Sequence, residues 1–289
     1  MAISRVLIGG AVSWVTTRGE ELAELPVPLA ELLALPLDEA RAIVESASSG
    51  ATTGVPVAGI RYLVPLDSQE VWAAGVTYRR SRDGRMEEST EATIYDRVYS
   101  ARRPEVFFKS NPERVVGDGD AVGIRADSAW NVPEPELAVV ANSRGEVFGY
   151  LVGNDMSSRS IEGDNPLYLP QAKVYDRACA LSSAIVPVWD APDWPFEIGI
   201  SITRGDAEVF AGTTSTSLLT RSPSELVEWL ILAQEFPAGV VLLTGTGIVP
   251  DAGFTLAVGD TVAIEIAGIG SLGNPVISVG RAAPDRPAQ

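Results

Sequence analysis

The sequence predicts a mainly β protein with α+β character, and three observations lead there. From about residue 67 the chain is a succession of short β-like runs split by turns. The first 66 residues have a different texture, one strand pattern followed by two helical ones, which reads as a small N-terminal α/β domain. After that only one segment has the length, cap and apolar face of a good helix. The expected units are therefore residues 1–66, a β domain over 67–280, and a polar, proline-containing tail at 281–289.

In order, "RVLIGGAVSWV" at residues 5–15 alternates as a strand, while "LAELLAL" and "LDEARAIVESA" have helical spacing. The second helix opens after Pro36 with Asp38 and Glu39 in its first turn. "SSGATTGVPVAG" at 48–59 is a loop by composition. Strand-like runs follow, among them "EVWAAGV", "PEVFFK", "AVGIRA", "ELAVVA", "VFGYLVG", "FEIGISITR", "VVLLTGT" and "TVAIEIAGIG". Turn chemistry separates them, as at Gly117-Asp118-Gly119-Asp120 and Ser143-Arg144-Gly145. The late helix is "SPSELVEWLILAQE", with Ser222 or Ser224 as its cap and Leu226, Trp229, Leu230 and Ala233 on its apolar face.

Composition removes several classes of function. The 289 residues are 46% hydrophobic and 21% charged, an ordinary globular balance. A net charge of −16, from 22 Lys+Arg against 38 Asp+Glu, gives the wrong field for nucleic acid. Apolar runs such as "VVLLTGTGIV" are short and interrupted, so no membrane span is expected, and the start reads as a strand rather than a signal peptide. The single cysteine, Cys179, fits a reducing cytoplasm and reads as a buried small hydrophobe. "GTG" at 245–247 lacks the following Lys-Ser/Thr of a phosphate loop.

There is no histidine. Ser-His-Asp and Cys-His machinery and imidazole zinc sites are excluded together. Proton transfer must use carboxylates, lysine, tyrosine or hydroxyls, and any metal must be held by oxygen ligands, which suits Mg²⁺, Mn²⁺ or Ca²⁺.

The acids of "NVPEPELAVV" bear on this. In a strand, Glu134 and Glu136 point from one face, where they repel by a few kcal/mol if half-buried. "ELAVVANSRGEVFGYLVG" is hairpin-like, so Asp155 at the end of its second strand returns beside them. Three converging carboxylates make either a hard-cation site or a cluster of exposed acids on an acidic protein.

"GNDMSSRSIEGDNPLYLPQAKVYDRACALSSAIVP" at 153–187 resembles the fumarylacetoacetate hydrolase family. So do the closing "VVLLTGTGIVPDAGFTLAVGDTVAIEIAGIGSLGNPV" and "GVTYRRSRDGRMEES" at 75–89, the position of the family's lid. The resemblance covers about residues 70–280, with its motifs in order. It implies a fumarylacetoacetate hydrolase-like mixed β-sandwich roll, a dimer or tetramer, and Mg²⁺ or Mn²⁺ on Glu134, Glu136 and Asp155. It also implies roles for Arg159, for Lys173, and for the Thr244–Thr246 turn, whose Thr246 would touch substrate.

Hydrolases of the family carry a lid histidine, and Ser81 stands at its position here. Together with "RPEVFFKSNPERVVG" and "IEGDNPLYLPQAKVYD", that points to the branch that dehydrates 2-keto-3-deoxy sugar acids, such as 2-keto-3-deoxy-D-arabinonate, to 2,5-dioxopentanoate. A 2-keto acid would chelate the metal through its carboxylate and keto oxygens, and the resulting enolate would expel the C4 hydroxyl. Lys173 would hold the carboxylates in register or shuttle a proton; Glu87, Glu88 or Glu105 would be the acid/base. Ser81, Lys109, Arg159 and Thr246 are the candidate substrate contacts, each with a plainer reading as a space-filling, solvated, charge-neutralising or turn residue. Tyr168 and Tyr175 read as packing. The alternatives are a hydrolase or decarboxylase acting on an acylpyruvate or another 2-keto acid, and a non-catalytic keto-acid-binding relative.

Overall fold

The computed structural model describes residues 1–18, 20–88 and 92–282; the side chains of residues 18, 82, 84, 85, 87, 88 and 92–95 lie outside that description, as does the tail from 283. The expected first strand is two, Ile3–Ile8 and Ala11–Arg18. Gly9 and Gly10 sit between them at φ of +59° and +88°, the left-handed pair that a two-residue hairpin requires. Alternation alone could not reveal this turn, because a two-residue loop hardly interrupts the pattern.

Among the described residues, twelve strands form the larger sheet. From Ile3–Ile8 the order runs through Ala184–Pro187, Val147–Asp155, Pro135–Ala141, Val240–Leu243 and Val71–Gly75 to Glu105–Ser110 at its end. The N-terminal strands thus hydrogen-bond into the same sheet as the chain beyond residue 66. Pairing is mostly antiparallel, but Val240–Leu243 lies parallel to Val71–Gly75.

A second sheet of five strands includes Glu197–Arg204, Ala207–Ser215, Asp260–Ile266, Gly270–Val279 and Val122–Arg125. Its inward positions, Ile198, Ile200, Ile202, Val262, Ile264 and Ile266, pack with Leu137, Val139 and Val152 of the larger sheet. Each such side chain contributes about 2 kcal/mol of burial. The opposite face of the larger sheet, through Ala138, Val140, Leu151, Val241 and Leu243, packs on helices Leu29–Leu33 and Leu37–Ser49. Residues alternate between the two cores along each strand, as a sheet covered on both faces demands.

The late helix spans Pro223–Ile231, and Ser222 is its cap, its Oγ accepting from Glu225 N at 3.1 Å. It is not alone after residue 66. Helices Arg79–Glu88, Ala92–Ser100, Arg159–Asp164 and Leu169–Lys173 were not expected. The first and third are polar and carry no apolar stripe for a periodicity argument to find, and the last is barely more than one turn.

Candidate active site

The hairpin closes in the register that brings the acids together. Gly145 turns it at φ +78°, Glu136 faces Gly153, and Asp155 N donates to Glu134 O at 3.0 Å. Glu134 and Glu136 continue the face of Ala138 and Val140, and Asp155 that of Leu151 and Gly153, so all three carboxylates leave the sheet on the same side. They are 1–2% exposed, with one oxygen of each within 4.8 Å of the others. The exposed-acid alternative is thereby removed.

Burying three acids requires compensation. Lys173 Nζ donates to Glu134 Oε2 at 2.7 Å, Asp155 Oδ2 at 3.0 Å and Ser157 Oγ at 2.6 Å. Arg159 Nη2 donates to Glu134 Oε1 at 2.8 Å. Lys109 Nζ forms an ion pair with Asp155 Oδ1. Glu136 receives instead a backbone N–H, from Gly245 to Oε2 at 2.6 Å. Burial, then the charges of Asp155 and Glu134, hold its carboxyl well above the usual range, against the opposing pull of Lys173 and Gly245. An all-oxygen donor set, buried and clustered, is what a hard divalent cation takes up, and Glu136 is the ligand whose charge such a cation would relieve most.

The other expected residues fall as follows. Lys109 was expected at substrate, but its ammonium is committed to Asp155, Met156 O at 2.9 Å and Lys173 O at 2.6 Å. An ammonium has three protons, and these three partners match them. Thr246 is buried, its hydroxyl closing a turn with Ile248 O and N at 3.2 Å. Ser81, 3% exposed, lies in the first turn of helix Arg79–Glu88. Glu105 lies opposite Gly75, where a Cβ would come within 2.0 Å of its Oε2, on the strand face of Phe107, whose ring is 5.9 Å from Lys173 Nζ. The side chains of Glu87 and Glu88 lie outside the described residues.

Tyr175 packs as expected, its ring 6.0 Å from Lys109 Nζ and 5.6 Å from the Arg125 guanidinium. Tyr168 is 44% exposed. Cys179 is buried, its thiol pushed up to about 12 chiefly by that burial.

Sequence reasoning missed three residues that contact the cluster or a candidate site residue. Ser157 receives the third proton of Lys173. Gly245 supplies the donor to Glu136. Gly75 makes room for Glu105. One signal was available for Lys109: it and Lys173 are the only two lysines in the sequence, in a chain that otherwise uses arginine. Both are buried, and both ammonium groups pair with carboxylates of the cluster.

A sequence model of the fumarylacetoacetate (FAA) hydrolase C-terminal domain matches residues 70–277. The chain belongs to the fumarylacetoacetate hydrolase family. A probable 2-keto-3-deoxyxylonate dehydratase of Haloferax volcanii is 52% identical over 218 residues, 75% of each chain. The 2-dehydro-3-deoxy-D-arabinonate dehydratase of Saccharolobus solfataricus is 41% identical over 222 residues, 75% of this chain and 74% of that one. A solved 2-keto-3-deoxy-D-arabinonate dehydratase complexed with magnesium and 2,5-dioxopentanoate superposes with a TM-score of 0.81 at 33% identity, covering 96% of this chain and 99% of the other. As a member of this family the chain has the mainly β fold expected of it, and among its described residues no helix is long and apolar enough to cross a membrane.

Proposed function

We propose that the protein is a divalent-metal-dependent hydro-lyase that dehydrates a 2-keto-3-deoxy sugar acid, a pentonate such as 2-keto-3-deoxy-D-arabinonate, to 2,5-dioxopentanoate. The observation that carries the reading is the buried Glu134, Glu136 and Asp155 cluster in a chain without histidine. The dehydratase relatives support it, one of them bound to magnesium and 2,5-dioxopentanoate.

Glu134, Glu136 and Asp155 would hold Mg²⁺, with Mn²⁺ or Ca²⁺ able to take its place. A divalent cation there supplies Lewis acidity, drawing charge from the keto oxygen of a 2-keto acid and acidifying C3. Lys173, with all three protons donated, holds Glu134 and Asp155 in register rather than shuttling a proton. Arg159 fixes the far oxygen of Glu134, and Lys109 that of Asp155. Glu105 is the general acid/base on the site's face: it takes a C3 proton and assists departure of the C4 hydroxyl as water. A proton lost from C5 and regained at C3 gives the C4=C5 enol, which becomes the aldehyde when its hydroxyl proton is lost and a proton is taken up at C4. Substrate minus one water is the product, so no oxidant and no attacking water are needed. Hydrolysis of an acylpyruvate would require an activated water, and the residue at the family's histidine position is Ser81.

The reading extends to a homodimer or homotetramer acting in the cytoplasm on a small-molecule 2-keto acid, supported by family membership and the single buried cysteine. The test is NMR of products after Mg²⁺-loaded protein is incubated with 2-keto-3-deoxy-pentonates and, separately, an acylpyruvate. An aldehyde resonance that disappears with EDTA is expected from the pentonate. Turnover of the acylpyruvate alone would overturn the reading.

A further inference from the structure

The foot of the lid holds a donor that the site as described does not use. Tyr78 follows Thr77 just before helix Arg79–Glu88 and is 1% exposed. The residue before it is tied down at both its side chain and its carbonyl. Thr77 Oγ1 donates to Thr244 O at 2.6 Å, and Thr220 donates its N–H and hydroxyl to Thr77 O at 3.0 and 2.8 Å. Its ring rests against Gly247, where a Cβ would lie 2.8 and 3.0 Å from Cδ1 and Cε1. The same turn sends the Gly245 N–H to Glu136.

The hydroxyl of this ring has no hydrogen-bond partner among the described residues. It nevertheless lies near enough to Glu136 for that carboxylate, after burial, to raise its pKa. A buried donor left unpaired is costly, and this ring is 1% exposed and packed against Gly247. A buried phenol with no partner of its own has a proton to offer an incoming acceptor, and an anionic oxygen is the best one.

We propose that Tyr78 is a substrate-binding residue whose hydroxyl donates to an oxygen at the carboxylate–ketone end of the bound 2-keto acid, beside Glu136. The assignment rests on the 2-keto-acid reading above. Three measurements on Tyr78→Phe test it. Mn²⁺ titration should give the wild-type affinity. Pyruvate, the simplest 2-keto acid, should bind the Mn²⁺-loaded variant about tenfold more weakly, and KM for the pentonate should rise by a similar factor. The melting temperature without metal or pyruvate should be equal or higher, because the variant loses an unpaired buried hydroxyl.

Unchanged pyruvate affinity would overturn the proposal while leaving the function reading intact. A lower melting temperature, or weaker Mn²⁺ binding, would also overturn it by giving the hydroxyl a different partner. If wild-type protein itself takes up no Mn²⁺ or no pyruvate, the function reading falls, and this assignment with it.

Discussion

Gly245 N lies 2.6 Å from Glu136 Oε2, and this one bond joins the turn after strand Val240–Leu243 to the acidic cluster. The turn can approach so closely only because residue 245 has no side chain. Its φ is +92°, and a Cβ would sit 2.0 Å from Thr77 Oγ1. Gly245→Ala is expected to strain the backbone by about 1–2 kcal/mol, to push Thr77 off Thr244 and to misplace Glu136. A melting temperature lower by about 5 °C and a weakened Mg²⁺ affinity should appear together in thermal melts and calorimetric titrations. Wild-type values for both would show that the turn tolerates a side chain.

Glu136→Gln separates site from fold. Glu136 is the member of the cluster held by a backbone N–H rather than by a cationic side chain. Its loss removes a like charge from beside Glu134 and Asp155. Stability without metal should hold or rise, while Mg²⁺ affinity should fall by more than about 100-fold and the pentonate should no longer turn over. Activity that persists without metal dependence would remove the metal site.

Lys173 is expected to have the opposite profile. Lys173→Met leaves Glu134 Oε2 and Asp155 Oδ2 buried without their shared ammonium. Breaking a buried pair of this kind costs about 3–5 kcal/mol, and activity should disappear. Urea melts with and without Mg²⁺ would test this: the deficit should be largest without Mg²⁺, because a divalent cation returns positive charge to the same carboxylates. A variant as stable as wild type in either condition would mean that the ammonium is not what compensates them.

An ion pair remote from the cluster sets an expected pH dependence. Arg204 donates to Asp260 from Nε at 2.7 Å and from Nη2 at 2.8 Å, and Ala257 N adds a bond at 2.8 Å. These bonds, the Arg204 pair foremost, hold the Asp260 carboxyl below its ordinary value of 3.8. A depressed carboxylate stabilises the fold above its unfolded pKa and loses that contribution as pH falls through the folded one. Asp260→Asn should therefore melt lower than wild type at pH 7, with the difference narrowing below about pH 4. A gap independent of pH would assign the loss to packing instead.

The sequence by itself determined the strand-rich class, the hairpin from Pro135 to Asp155, and the identity of its acids, because period-two alternation and turn chemistry are local properties. It also excluded imidazole chemistry outright, since composition needs no fold to be read. What only the tertiary structure decided is who compensates whom. The short polar helices around Arg159 and Lys173 have no stripe of their own and form where neighbouring elements meet them. Ser157, Gly245 and Gly75 matter through contacts across 16, 109 and 30 positions of chain. Lys109 could be recognised as a lysine on a strand, but its commitment to Asp155, Met156 and Lys173 depends on strands far apart in sequence lying side by side. Burial and proximity set the energy of a charge, and both belong to the folded chain rather than to the order of its residues.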